Sequence, residues 1–486
     1  MIASLRAEHE RLGRLVTALL GEYIETLDTQ PLVSQATPQE MAALFDEPVP
    51  VAGTSTDELI ERFREDILPH SMHVASPRYF GQFNPTPLAI GVWADVLASA
   101  LNQNGAVWRN APVASIIEDR VLRWLCALVG YGASSFGTLT SGGSEANLVA
   151  LKCARDRAYE GVRDWGVRAA TGGMTVYASD QCHYSFVKSV DILGLGRDSL
   201  RRVPTDGRFH IRTDALRQML DEDKQRGLLP CAIAGAAGAT STGIIDPLNE
   251  LADIAQEYNC WFHVDAAYGG ALTLAPSYKD RLRGIERADS ITLDPHKWMF
   301  VPFACGAVLV RDGARVLRDA FDYTPEYLTE QRGYTGGAET DYDFFRYGQL
   351  GTRRFTALKL WMSLKHLGTR GYAVIIERQM RLTEYLAELL DNAPDFARVG
   401  EVETAVVCFR YRPAITADWH ENELDALQQR LQQHVEKSGA AFFASTILHG
   451  RRVLRININS YLTERRHVED LLQLLQRAGA QALEHE

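Results

Sequence analysis

The sequence predicts an α/β fold with a mainly parallel sheet, preceded by a helical extension and followed by a smaller α+β domain. Three observations carry that prediction. Short apolar runs of strand length, Met174 to Ala178, Cys231 to Ala236, Trp261 to Val264, Ser290 to Leu293 and Gly306 to Val310, alternate with helical stretches. An amphipathic stripe comes before them, and a helix, two strand candidates and a final helix come after. The length of 486 residues, with 46% hydrophobic and 23% charged side chains, suits two or three domains with large cores and excludes disordered, collagenous and disulfide-stapled classes.

Taken in order, Leu12, Val16, Leu19, Leu20, Tyr23, Ile24 and Leu27 recur at helical spacing. Such a stripe needs a partner surface, on this chain or on a second subunit. A linker through Pro48-Val49-Pro50 and Gly53-Thr54-Ser55-Thr56 closes an extension of about residues 1–85. The α/β domain spans 86–365. Within it Asp246 reads as a helix cap, with Pro247 where a missing N–H costs nothing, ahead of Leu248, Leu251 and Ile254. Residues 311–350, rich in Tyr, Gly and acidic side chains, read as a mobile loop. Beyond Thr352 a long helical pattern leads into the domain 366–486, with strands at Ala405 to Tyr411 and Val453 to Ile458 and a last helix carrying Val468, Leu471, Leu472 and Leu475.

Fifty-one Lys plus Arg against sixty-two Asp plus Glu leave a net charge of −11, and neither sign gathers into a block. That argues against nucleic acid as a partner. Seven widely spaced cysteines without a CxxC pair suit reduced thiols in the cytoplasm and offer no metal cage. The N-terminus carries Arg6, Glu8, His9, Glu10 and Arg11 where a signal peptide needs an apolar core. The longest nearly uncharged run, Trp298 to Val310, is too short to span a membrane and contains Pro302 and Gly306.

Three strings could carry chemistry. Thr140-Ser141-Gly142-Gly143-Ser144-Glu145-Ala146-Asn147 runs into the helix-forming Leu148 to Arg157, so backbone N–H groups of a helix start could hold a phosphate; alone, it reads sooner as a plain turn with Ser144 as N-cap. Trp261 to Gly270 is an apolar strand delivering Asp265 at its C-terminal end, where parallel sheets bind ligands, beside the small residues Ala266, Ala267 and Gly269. Taken singly, Asp265 could also cap a helix. Asp294-Pro295-His296-Lys297-Trp298 places a lysine at another strand end, where desolvation favours a neutral, nucleophilic amine; taken singly, it could be a snorkelling lysine. Together the three are the handholds of pyridoxal 5′-phosphate (PLP): phosphate on the helix N-terminus, Lys297 on the aldehyde carbon, Asp265 on the pyridine nitrogen. His183 offers a ring that could stack on the cofactor.

These strings, in this order, resemble the group II PLP-dependent amino-acid decarboxylases, which include enzymes for aromatic amino acids and for glutamate. The resemblance runs from about Ser76 to Tyr372 and is most specific at Leu139 to Leu151, His183 to Ser185, His263 to Gly269, Asp294 to Trp298 and Arg353-Arg354-Phe355. It implies a fold-type-I, aspartate-aminotransferase-like homodimer with the active site at the subunit interface and the N-terminal arm wrapped on the partner. It also implies Lys297 as the Schiff-base lysine, Asp265 as the pyridine partner and His183 as the stacking ring. Gly143, Ser144, Thr240, Ala267 and His296 fall beside the cofactor. Asp294 departs from the Asn common in the animal enzymes, and an extra negative charge near a phosphate is unfavourable unless it is turned away or paired.

The implied reaction is loss of carbon dioxide from an L-amino acid and return of a proton to the α-carbon. Tyr342 is the first choice of proton donor, Tyr334 the reserve, and His296 a third candidate. Phe80, Gln82, Phe83, Thr86 and Trp108 match the substrate pocket. Its aromatic residues favour an aromatic substrate, while Gln82 and Arg109 keep an acidic or diamino one open, and aldehyde rather than amine release is a further alternative. A cysteine desulfurase needs a reactive loop cysteine, which neither Cys305 nor Cys408 resembles. A cofactor-binding regulator needs a DNA-binding module, of which there is no sign.

Overall fold

The computed structural model describes residues 2–170, 172–326 and 342–484. The chain divides into two compact units. One gathers Met1–Thr86, Glu384–Val399 and Cys408–Glu486, and the other Pro87–Thr383 and Gly400–Val407. In the first unit, the amphipathic stripe lies on the helix Ile2–Thr26, with Leu19 and Leu27 buried but Val16 and Ile24 exposed. The short helix Pro38–Leu44 is closed by a capping box between Thr37 and Glu40. Strand β1 (Tyr79–Phe80) follows.

The second unit is built on a seven-stranded sheet of β2 (Phe136–Thr140), β3 (Met174–Ser179), β4 (Leu200–Val203), β5 (Leu229–Ala236), β6 (Trp261–Asp265), β7 (Ser290–Leu293) and β8 (Gly306–Val310), in the order β2-β8-β7-β6-β5-β3-β4. Strands β4, β3, β5, β6 and β7 are parallel, and β8 runs antiparallel to β7 and β2. The inner strands are buried along nearly their whole length because both faces of the sheet are covered, and they carry a few polar side chains, His263, Asp265, Ser290 and Thr292, among the apolar ones. Helices such as Gly143–Ala158 and Leu248–Tyr258 turn Val149, Leu151, Leu251 and Ile254 into the core. The first unit completes its own five-stranded sheet with β9 (Phe396–Val399), β10 (Val406–Tyr411), β11 (Phe442–Leu448) and β12 (Arg451–Asn457), in the order β1-β11-β12-β10-β9.

Two local expectations are corrected. Asp246 caps no helix: Pro247 occupies the cap position of Leu248–Tyr258, without a side-chain cap bond. Its buried carboxylate instead clasps two segments, accepting from the N–H of Ile211 (2.9 Å) and of Ala236 (2.8 Å), and burial pushes its pKa up to about 6. Part of the 311–350 segment is not loop either. Gly313–Phe321 is a helix that buries Leu317 and Ala320, and Phe344–Tyr347 forms a 3₁₀ turn. Tyr334 and Asp341 lie outside the described residues.

Candidate active site

The site grows from strand ends of the second unit. Strand β2 leads through Ser141 and Gly142 into the helix Gly143–Ala158. Glu145 ties the turn down, its Oε2 accepting from the Ser141 N–H (2.7 Å) and hydroxyl (2.8 Å). Ser144 is exposed in the first helical turn and is not the cap, a position held by Gly142. Side chains at Gly142 and Gly143 would crowd their neighbours. A Cβ on Gly142 would stand 3.1 Å from the His296 ring, and one on Gly143 would stand 2.9 Å from Asp294 Oδ2 and 3.3 Å from Ala267 Cβ.

Asp265 and the lysine segment are held together by strand pairing. Asp265 pairs in register with Thr292, and the Asp294 N–H donates to the Ala267 carbonyl at 3.2 Å. Trp298, fully buried, stacks on Tyr268 (4.8 Å between ring centres, 9° between planes) and donates its indole N–H to Gln379 (2.6 Å). The chain just before it is thereby fixed, with Lys297 Nζ 3.1 Å from Asp294 Oδ2. Asp294 is 3% exposed and far from turned away: the same Oδ2 accepts the Gly143 N–H at 3.0 Å, while Oδ1 is buried without a hydrogen-bond partner among the described residues. The charge that looked out of place in the sequence is paired with the lysine and lies against the glycine turn.

His296 is buried under the Phe303 ring (4.3 Å), with its Nδ1 set between the carbonyl (2.8 Å) and the N–H (3.1 Å) of Cys305. Burial holds its pKa below the ordinary imidazole value. His183 is half-buried and also shifted down, chiefly by desolvation, within the fields of Asp265, Lys297 and Asp294. These four residues therefore share one small region. Thr240 is exposed on the turn after β5. That turn abuts the end of β6, because Gly238 sits at φ +93° where a Cβ would come within 2.9 Å of the Gly269 nitrogen.

The substrate-pocket candidates divide. Phe80, Gln82, Phe83 and Thr86 belong to the first unit. There Phe80 is buried, Phe83 lies under the Arg455 guanidinium (4.6 Å), and the Thr86 hydroxyl is taken by Ser460 (2.6 Å) and the Ala75 carbonyl (2.9 Å). Gln82 keeps an exposed side chain on a backbone held by Tyr79 and Asn459. In the second unit Trp108 is half-buried and donates its N–H to Asp343 (2.9 Å), which anchors the chain directly after Tyr342. Tyr342 is half-buried, with Arg123 within its field.

Residues that the sequence did not single out stand behind Asp265. Asn147 Nδ2 donates to Asp265 Oδ2 at 2.9 Å, and its Oδ1 faces His263 Nε2 (3.0 Å) and the Thr292 hydroxyl (2.6 Å). Asn147 and His263 each lay inside a recognised string, but nothing in their spacing announced that they meet.

A helix start of small residues, a carboxylate and a lysine at neighbouring strand ends, and a flat ring beside them fit PLP. The glycine turn brings its backbone close against His296, Asp294 and Ala267, and the Ser144 N–H, which has no partner among the described residues, can serve a phosphate there. Fold and site together define a PLP-dependent enzyme of fold type I. Residues 38–412 match the family described as pyridoxal-dependent decarboxylase conserved domain. The chain is 31% identical over 479 residues to an aromatic-L-amino-acid decarboxylase of Bacillus atrophaeus, covering 98% of this chain and 96% of that protein. It is 28% identical over 474 residues to a phenylacetaldehyde synthase of Petunia hybrida, covering 95% and 92%. The crystal structure of Oryza sativa TDC with PLP and tryptamine matches with a TM-score of 0.90 at 29% identity, covering 97% of each chain. The chain belongs to the pyridoxal-dependent decarboxylase family. Its cofactor is PLP and its reaction class is amino-acid decarboxylation.

Proposed function

We propose that the protein decarboxylates an aromatic L-amino acid to the corresponding amine and carbon dioxide. The observation that carries this reading is the convergence of Lys297, Asp265 and His183 on one region of a chain whose relatives include an aromatic-amino-acid decarboxylase. Bound PLP supplies a carbonyl for covalent attachment and a ring that draws electrons from a breaking bond at the α-carbon. Lys297 offers the amine that engages that carbonyl. Asp265 would accept a hydrogen bond from the protonated ring nitrogen and so keep its positive charge, and His183 would offer a flat ring to stack on it. Gly143 and Ser144 hold the phosphate through backbone N–H groups, with Thr240, Ala267 and His296 beside them. Tyr342 returns the proton to the α-carbon; Tyr334 is the reserve and His296 a third candidate. Phe80, Gln82, Phe83, Thr86 and Trp108 shape the substrate side.

We further infer a homodimer, with residues 1–85 as a dimerisation arm. Trp93, Val96, Leu97, Leu101 and Val113 are all more than two-fifths exposed on the second unit, as are Ile24, Phe45 and Leu59 on the first, and apolar surface of that extent is usually covered by a partner. No helix among the described residues is long and apolar enough to cross a membrane. Seven cysteines without a disulfide support a cytoplasmic setting.

The test is to assay carbon dioxide, amine and aldehyde from each proteinogenic L-amino acid, L-DOPA and 2,4-diaminobutyrate. Amine from Trp, Tyr, Phe or DOPA is expected, and amine from Glu, Asp or 2,4-diaminobutyrate alone overturns the aromatic reading. Lys297→Ala with full turnover overturns the role of the lysine. Stoichiometric aldehyde would support a second reading, aldehyde synthesis, which likeness to the phenylacetaldehyde synthase favours.

A further inference from the structure

Behind the cofactor region lies a chain of hydrogen bonds whose every polarity can be assigned. It begins at Trp261, whose indole nitrogen can only donate, and does so to Ser290 Oγ at 2.7 Å. Ser290 Oγ also lies 2.8 Å from His263 Nδ1, and the direction of that contact is fixed from the far end of the chain: the Asp265 carboxylate only accepts, so the Asn147 NH2 faces it and the amide oxygen faces His263 Nε2. His263 is fully buried, with its pKa driven down to about 4 by desolvation, so the ring is neutral; its single proton sits on Nε2 because the amide oxygen opposite can only accept, and Nδ1 then takes the Ser290 hydroxyl hydrogen. That proton points at Asn147 Oδ1, 3.0 Å away, which also receives the Thr292 hydroxyl at 2.6 Å. With two donors on its oxygen, the Asn147 amide cannot flip. Both of its hydrogens must face the other way, one to Asp265 Oδ2 (2.9 Å) and one to Ser185 Oγ (3.0 Å). The Ser185 hydroxyl is then free to donate to His183 Nδ1 at 2.8 Å, alongside the Ser185 backbone N–H at 3.3 Å, leaving the His183 proton on Nε2.

We propose that Asn147 is a positioning residue for the reaction, an amide locked by Thr292 and His263 that orients the Asp265 carboxylate towards the cofactor's ring nitrogen and, through Ser185, sets the tautomer of His183. This rests on the reading of Asp265 as the partner of that nitrogen. Two features separate it from ordinary packing. The relay runs in one direction, from a group that can only donate to a carboxylate that can only accept. It also joins a helix, the two strands β6 and β7 and the His183 turn, so it fixes relative orientation and not only local fold.

The experiment compares the affinity of the full-length protein for PLP and for the PLP analogue in which the ring nitrogen is replaced by C–H. Wild type prefers PLP. Asn147→Asp keeps the shape but sets an acceptor against Asp265, and the preference falls at least about tenfold, the worth of one hydrogen bond to a charged group. Thr292→Val leaves Asn147 in place but loosens its amide; it lowers the preference in the same direction and serves if Asn147→Asp does not fold. Asp265→Ala abolishes the preference. If Asp265→Ala abolishes it while both other variants keep it at the wild-type value, Asn147 has no positioning role and the reading of Asp265 stands. If Asp265→Ala itself keeps the preference, the parent reading fails and this proposal with it.

Discussion

Asp294 gives the sharpest functional prediction, because its carboxylate holds two groups that the cofactor needs. Oδ2 accepts the Gly143 N–H at 3.0 Å and pairs with Lys297 at 3.1 Å. A phosphate using that N–H must first replace one anion by another. In Asp294→Asn the acceptor remains but its charge is gone, and a hydrogen bond to an ionised acceptor is about twice as strong as a neutral one, a difference of about 1 kcal/mol. PLP should therefore bind about fivefold to tenfold more tightly to Asp294→Asn. The comparison is with pyridoxal, which has the same aldehyde and no phosphate, and both affinities can be read by titrating the stripped protein and following cofactor absorbance. Pyridoxal affinity should change little. Unchanged or weaker PLP binding, or an equal gain for both ligands, would refute the idea that Asp294 competes with the phosphate.

Three further outcomes are expected. Glu118 and Arg353 form a buried ion pair, 6% and 5% exposed, and Glu118 also accepts the N–H of Leu139 on β2. Glu118→Ala strands a buried guanidinium and should lower stability by about 3–5 kcal/mol in urea denaturation, whereas a loss below about 1 kcal/mol would mean that water reaches the pair. His210 donates to Glu403 at 3.0 Å, and that partner raises its pKa above the ordinary imidazole value. Because the folded value is the higher one, the stabilisation is full below the unfolded pKa of about 6.5 and disappears as pH rises through the folded value. The stability gap between wild type and His210→Gln should accordingly be widest in mildly acidic buffer and close on the alkaline side; a gap that widens with pH contradicts the pairing. Tyr342→Phe should reduce amine formation at least about a hundredfold, the usual worth of a general acid, with aldehyde rising in the presence of oxygen, and an unchanged amine yield would transfer the proton to another residue.

The parts of the site that were legible in the sequence are those carried by contiguous strings. Gly143 and Ser144 open a helix-forming run, Asp265 ends an apolar run and Lys297 closely follows another, so their place in the chain alone marked them as handholds of one cofactor. The strand candidates Ser290 to Leu293 and Gly306 to Val310 match β7 and β8 residue for residue, since both are short, apolar and bounded by turn or charged residues. What stayed hidden was assembled across the sheet. Asn147, His263 and Thr292 lie on three different elements and meet only after the strands pair. Strand β2 was overlooked because Phe136 to Thr140 is mixed with Gly and Thr, and the helix Gly313–Phe321 because its short stripe was read together with the polar stretch after it. Asp246 was misjudged for the opposite reason: Asp-Pro before a helix is a good local signal, and a tertiary demand for a buried acceptor overrode it.

The register between β6 and β7 has an engineering consequence. Asp265 is set opposite Thr292 by backbone pairing, and Lys297 follows Thr292 by a fixed, tightly packed stretch. The distance between carboxylate and amine is thus a property of two neighbouring strands, and the length of chain joining them does not enter. Extra residues grafted near the exposed Pro276 and Ser277, midway along that connection, should leave the geometry of catalysis intact. A single residue inserted between Thr292 and Lys297 should destroy it.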